Sequence, residues 1–182
     1  MYGWVVAVSL RKQQTWLGLS YLRFELQSGE TMTIDELLAR ESIRQTMATY
    51  NTAGDSLRVN DFIAIFTEDA ILESDHFRNE GRQAIHDWMT RWSPPTDAAT
   101  QTCKATFVRH HLTTSKVELT GPTTAKGRTY FAVYTDIGPD HCGYYTDVFR
   151  KSGEHWLIAH RKVRIDWRSP DSLMSVATSS SR

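Results

Sequence analysis

From Lys104 to Trp167 apolar and polar residues alternate with a period of two, with breaks at Gly121-Pro122, Gly138-Pro139 and Ser152-Gly153. Alternation at that period marks half-buried strands, and the three dipeptides carry turn chemistry. The pattern predicts four strands, over about 105–119, 124–136, 142–151 and 154–167, forming a long curled antiparallel sheet. Such a sheet has one face to bury, so the preceding residues must supply the layer that covers it.

Those residues are helical in pattern. Thr33 followed by Glu36 is a capping box, in which each side chain satisfies a free amide of the first turn. It predicts a helix from Ile34, with Ile34, Leu38, Ile43, Met47 and Tyr50 on one stripe, running until Gly54. A second, shorter helix carries Phe62, Ile65 and Phe66, and a strand over Ala70 to Ser74 follows with a short partner around Phe77 to Glu80. In the third helix Ile85, Trp88, Met89 and Trp92 fall at i, i+3, i+4 and i+7, and Pro94 with Pro95 stops it. The predicted class is α+β: a cone-shaped curved antiparallel sheet packed against three N-terminal helices, with room for a small ligand between the layers.

Composition narrows the partners. Among 182 residues, 21 Lys and Arg balance 21 Asp and Glu, so no overall field holds a nucleic acid or an anionic membrane, and neither is expected as a partner. Cys103 and Cys142 are too few for a disulfide framework and lack the paired spacing of a structural zinc site. The apolar run Trp4 to Val8 precedes Arg11 and Lys12, the wrong order for a secretory signal, and is far short of the roughly 20 residues of a membrane span, so a cytoplasmic location is expected. Residues 1–31 read as an N-terminal appendage, or as sequence upstream of a natural start at Met32. The Ser-rich stretch 169–182 reads as a disordered tail.

Several segments, taken in order, carry a family resemblance. Tyr50-Asn-Thr-Ala-Gly-Asp55 with Phe66-Thr-Glu-Asp-Ala70 is similar to the first-helix signature of SnoaL-like proteins, members of the nuclear transport factor two-like superfamily of cone-shaped α+β folds. Gly81-Arg-Gln-Ala-Ile85, Arg109-His110, Tyr145-Thr-Asp147, and Trp156-Leu-Ile158 followed by His160-Arg161 and Asp166-Trp167 agree with it over roughly residues 33–168. The resemblance implies the cystatin-like roll of that superfamily, a homodimer formed through the sheet, and no cofactor.

The residues themselves support acid–base chemistry. Asp55 follows Gly54 at the end of a helix, where a carboxylate is unfavourable beside the negative helix terminus unless something compensates it. On Phe107 to Leu112, alternation places Val108, His110 and Leu112 on one face and Phe107, Arg109 and His111 on the other, so one histidine points inward. An inward His110 near a carboxylate would form a His–Asp pair, which fixes the tautomer and raises the basicity of the imidazole. Scytalone dehydratase and dehydrochlorinase relatives work through such a pair, and the resemblance puts Asp55 and His110 at the matching positions. The dehydratase's second histidine, on the following strand, has no counterpart in Tyr130 to Thr135. Tyr50, Tyr130 or Tyr134 could orient a carbonyl oxygen instead, with Trp88, Val108 and Leu112 lining the pocket.

Other patterns are weaker. His110 and His111 point to opposite faces of a regular strand and cannot share a metal, so no metal is expected. His76, His86, His141, His155 and His160 are scattered and read mostly as solvated or capped, and Trp88, Trp92, Trp156 and Trp167 mostly as core. Gly81 to Gln83 lacks the glycines and lysine of a phosphate loop. Two functions follow. One is a cofactor-independent lyase or isomerase, dehydratase-like, acting on a small apolar cyclic molecule through His110 and Asp55. The other is a non-catalytic binding or assembly module, resembling the small subunit of a ring-hydroxylating dioxygenase, that uses the outward face of Phe107, Arg109 and His111.

Overall fold

The computed structural model describes residues 9–14, 20–25, 31–91 and 105–174. The chain divides into two compact units, 1–42 and 43–182. In the first, β1 (Ser9–Gln14), β2 (Ser20–Glu25) and β3 (Thr31–Thr33) form an antiparallel sheet in that order. The capping box then starts α1 (Ile34–Asp55): the Thr33 amide donates to the Glu36 carboxylate at 2.7 Å and the Glu36 amide to Thr33 Oγ1 at 3.2 Å. Residues 9–14 and 20–25 are thus paired as strands.

In the second unit α1 continues from Ile43, followed by α2 (Val59–Ala64), β4 (Phe66–Glu73), β5 (Arg78–Glu80) and α3 (Arg82–Thr90). Then come β6 (Arg109–Gly121), β7 (Thr124–Thr135), β8 (Gly138–Ser152) and β9 (His155–Arg168). The six strands lie in the order β5-β4-β9-β8-β7-β6. The α+β class and the curved sheet are as the sequence predicts, with one difference: β4 runs parallel to β9, so the sheet is mixed. The chain leaves β4 and returns to it only after α3 and three long strands, a pairing no local pattern encodes. Phe66 shows the same effect. Its spacing from Phe62 suits a helix, yet α2 ends at Ala64 and Phe66 pairs with Ile158 of β9.

Most buried residues of the sheet fall on one face. On β7 these include Ala125, Thr129, Phe131, Val133 and Thr135; on β8, His141, Tyr145, Asp147 and Phe149, with Asp140 also buried beside a register shift. The helices meet this face through Tyr50, whose ring lies 5.6 Å from that of Tyr145, and through Thr46, whose hydroxyl donates to the Trp156 carbonyl at 2.5 Å. Register shifts on β6, β7 and β8 mark bulges, which bend strands and raise their twist. One sits at Cys142/Gly143, where a Cβ on Gly143 would meet the Arg164 carbonyl oxygen at 1.9 Å, so only glycine fits.

The apolar stripe of α1 begins to be buried at Ile43, and Leu38 is 60% exposed. Trp156 is core, but Trp167 is 49% exposed on the outer face. Trp92, Pro94, Pro95 and Cys103 lie outside the described residues. The segment after β9, expected to fray from Ser169, is instead tied to Asp140 as far as Leu173, and the rest of that stretch from 175 is also outside them. Among the described residues no helix is long and apolar enough to cross a membrane.

Candidate active site

Helix α1 ends in a Schellman arrangement. The Arg58 amide donates to the Ala53 carbonyl at 2.9 Å, the Leu57 amide to Gly54 at 3.1 Å, and Leu57 takes the left-handed conformation at φ 52°. This leaves Asp55 in the last helical turn, where the helix dipole opposes its charge. Two hydrogen bonds from the second residue of β6 compensate it. The His110 amide donates to Oδ2 at 3.0 Å, and His110 Nδ1 lies 2.5 Å from Oδ1. The Asp55 side chain is 9% exposed and that of His110 22%. A carboxylate that takes up Nδ1 assigns the ring proton there and leaves Nε2 as the basic nitrogen. Nε2 has no hydrogen-bonding partner among the described residues.

A second group of charges lies on the same inward face. Arg161 of β9, fully buried, makes a bidentate pair with Asp147 of β8 through Nε and Nη2, each at 2.8 Å. Its guanidinium sits between the rings of Tyr50 and Tyr145, 4.1 Å from each centroid. Nη1 is buried with no acceptor among the described residues. Burial works against the Arg161 charge, but Asp147 outweighs it and the group stays protonated. Burial pushes both phenols up, Tyr145 strongly, against the opposing pull of Arg161 on each, so both stay un-ionised donors.

The Phe131 ring forms the floor between these groups, stacked on Tyr145 at 4.5 Å and 6.2 Å from His110. It also lies 6.1 Å from His141, which is buried and has Nδ1 2.7 Å from the Asp140 carboxylate. Burial lowers the His141 pKa from its ordinary 6.5, more than Asp140 raises it. Burial likewise pushes Asp140 up, but hydrogen bonds from His141, Ser172 and Leu173 hold it below the usual carboxylate range.

A SnoaL-like domain model matches residues 35–162. The chain belongs to that family. Among curated proteins none matches it significantly. Solved structures share the fold at low identity. An assigned scytalone dehydratase from Novosphingobium aromaticivorans is 21% identical, with 81% of this chain and 95% of that one covered and a TM-score of 0.64. A nuclear transport factor two-like protein with a cystatin-like fold from the same organism is 22% identical, with 77% and 91% covered and a TM-score of 0.62. A hexachlorocyclohexane dehydrochlorinase from Novosphingobium barchaimii is 13% identical, with 75% and 92% covered and a TM-score of 0.61.

Within this SnoaL-like domain the structure brings together Asp55, His110 and Tyr50. Leu112 stands directly opposite Phe131 on His110's face, and Val108 is half-buried just ahead of β6. Tyr130 and Tyr134 do not join them. Phe131 and Val133 take the inward phase of β7, which turns the two tyrosines outward at 45% and 41% exposure. Trp88 stacks on Phe77 at 4.9 Å. His141, one of the histidines read as mostly solvated or capped, is buried against Asp140, and Arg161, Asp147, Tyr145 and Asp140 are the polar residues that sequence reasoning left without a role. Their signal was present: Asp147 occupies the same strand phase as Tyr145 and Phe149, so a charge at an inward position had to be paired. Among the described residues no group of three His, Cys, Asp or Glu side chains is arranged to hold a metal ion.

Breaking a buried ion pair leaves an uncompensated charge, which costs about 3–5 kcal/mol. Asp147→Ala should therefore lower unfolding stability by about that much in a denaturant titration. Asp69→Ala, which removes an exposed partner of Arg150, should leave the midpoint unchanged.

Proposed function

We propose that this SnoaL-like protein is a cofactor-independent lyase or isomerase, dehydratase-like, acting on a small apolar cyclic molecule. The observation that carries the reading is the 2.5 Å contact of His110 Nδ1 with Asp55, which leaves Nε2 free as a general base. In a cyclic β-hydroxy ketone, Nε2 takes the proton next to the carbonyl and the electron pair moves onto the carbonyl oxygen. The enolate re-forms the carbonyl as a double bond is made in the ring and the β C–O bond breaks. The departing oxygen takes the proton back from the imidazolium and leaves as water. Tyr50, Tyr145 and Arg161 Nη1, which has no partner among the described residues, are un-ionised or cationic donors in contact with one another, suited to charge developing on an oxygen. The aromatic floor of Phe131 suits an apolar ring.

A panel of cyclic β-hydroxy ketones, followed by the ultraviolet absorbance of the conjugated product, tests this. His110→Ala and Asp55→Asn should each lower turnover by about 10²–10⁴-fold, the usual worth of a positioned acid–base group. Turnover equal to wild type in His110→Ala removes the base from the mechanism.

A second reading rests on the outer sheet face, where Tyr130, Tyr134 and Trp167 are exposed and Arg128 lies 3.9 Å over the ring of Tyr144. We infer that a second copy of the chain covers this aromatic surface, compatible with either catalysis or an assembly role. Trp167→Glu should shift wild-type dimers to monomers in sedimentation velocity, and a monomeric wild type would contradict it.

A further inference from the structure

The Asp55/His110 pair has a counterpart two strands away. Val133 of β7 stands directly opposite His110 on β6 and directly opposite His141 on β8. Directly opposed residues of antiparallel strands share a face, so the two imidazoles leave the same inward surface. Two strand spacings put their backbones ~10 Å apart, and the Phe131 ring lies within 6.2 Å of both. Each histidine has Nδ1 on a carboxylate and Nε2 without a partner among the described residues.

The two pairs differ in how they are held. Asp140 is fully buried and accepts hydrogen bonds from Thr135 Oγ1 at 3.2 Å, Ser172 Oγ at 2.7 Å and the Leu173 amide at 2.9 Å as well as facing His141. Its carbonyl takes the Ser169 amide at 2.8 Å. With Asp140 ionised and saturated by donors, His141 is fixed with its proton on Nδ1, and its Nε2 presents a lone pair. Burial keeps the ring neutral. A neutral imidazole in that tautomer accepts a hydrogen bond and has no proton to give from Nε2.

We propose that His141 Nε2 is a second substrate contact, which accepts a hydrogen bond from a hydroxyl carried on the substrate's ring. This rests on the reading of the site as one for a small cyclic molecule, and it deepens that reading by naming the substrate class: a hydroxylated ring whose hydroxyl lies across from the carbon that His110 deprotonates. Both imidazoles lie within 6.2 Å of the Phe131 ring, so one small ring placed between them can be reached from either side. Asp140 is the positioning residue for His141, and Ser172 secures Asp140 from the segment after β9.

Binding of 4-methylphenol and of 4-methylanisole, in which a methyl group replaces the hydroxyl proton, tests the contact by calorimetry. Wild type should bind the phenol about tenfold more tightly, the worth of one hydrogen bond to a buried acceptor. His141→Leu should abolish the preference while keeping the affinity for the anisole, and His110→Ala should retain it. In the wild-type protein, which removes any question of misfolding, the ¹⁵N resonance of His141 Nε2 should move with the phenol and stay in place with the anisole. Equal affinity of wild type for the two probes, failure of the phenol to bind, or a preference that survives in His141→Leu would overturn the proposal. The assay needs no turnover, so an inactive protein that still discriminates would refute the catalytic reading and leave this contact standing.

Discussion

The contact on which the site depends is the double hydrogen bond between Asp55 and His110. It solves two electrostatic problems together. A carboxylate in the last turn of α1 lies against the negative end of the helix dipole, and the first residues of β6 present an amide and an imidazole that need acceptors. Joining them ties the helix end to β6, the edge strand of the sheet. The same bond sets the tautomer of His110, so the geometry that stabilises the helix end also prepares the basic nitrogen.

Beneath this pair the inward face is polar to a degree that packing alone would not produce. A buried ion pair is often no better for stability than apolar residues of the same volume, yet Arg161 and Asp147 are held at zero exposure between two tyrosine rings. Bidentate geometry and two cation–π contacts offset part of the desolvation cost. What remains is a guanidinium whose Nη1 amino group has no hydrogen-bond partner among the described residues. Two un-ionised phenols, a cation and two carboxylate-paired imidazoles thus lie around the ring of Phe131.

Much of this was legible in the sequence. Period-two alternation and the three turn dipeptides placed β6 to β9 to within a few residues, and the Thr33/Glu36 box marked the start of α1, because these signals are local. Strand phase was legible only in part. The inward phase of β6 could be read from Val108, His110 and Leu112, but Tyr130, Phe131, Val133 and Tyr134 offer β7 aromatic or apolar residues on both faces, so alternation could not say which tyrosines faced in. The β4/β9 pairing is parallel and distant, and it drew Phe66 out of a helical pattern. Asp140 and His141 are neighbours in sequence beside a register shift, and they are both buried only because the segment after β9 folds back on Asp140. No local rule exposes a contact of that kind.

The central claim is that Asp55 holds the proton of His110 on Nδ1 and leaves Nε2 as the base. Nitrogen-15 NMR of the His110 imidazole, at a pH where the ring is neutral, tests it most directly. The account predicts a protonated Nδ1, with its proton strongly deshielded by the short hydrogen bond, and loss of that deshielded signal in Asp55→Asn. A ring protonated on Nε2 in the wild-type protein would contradict it.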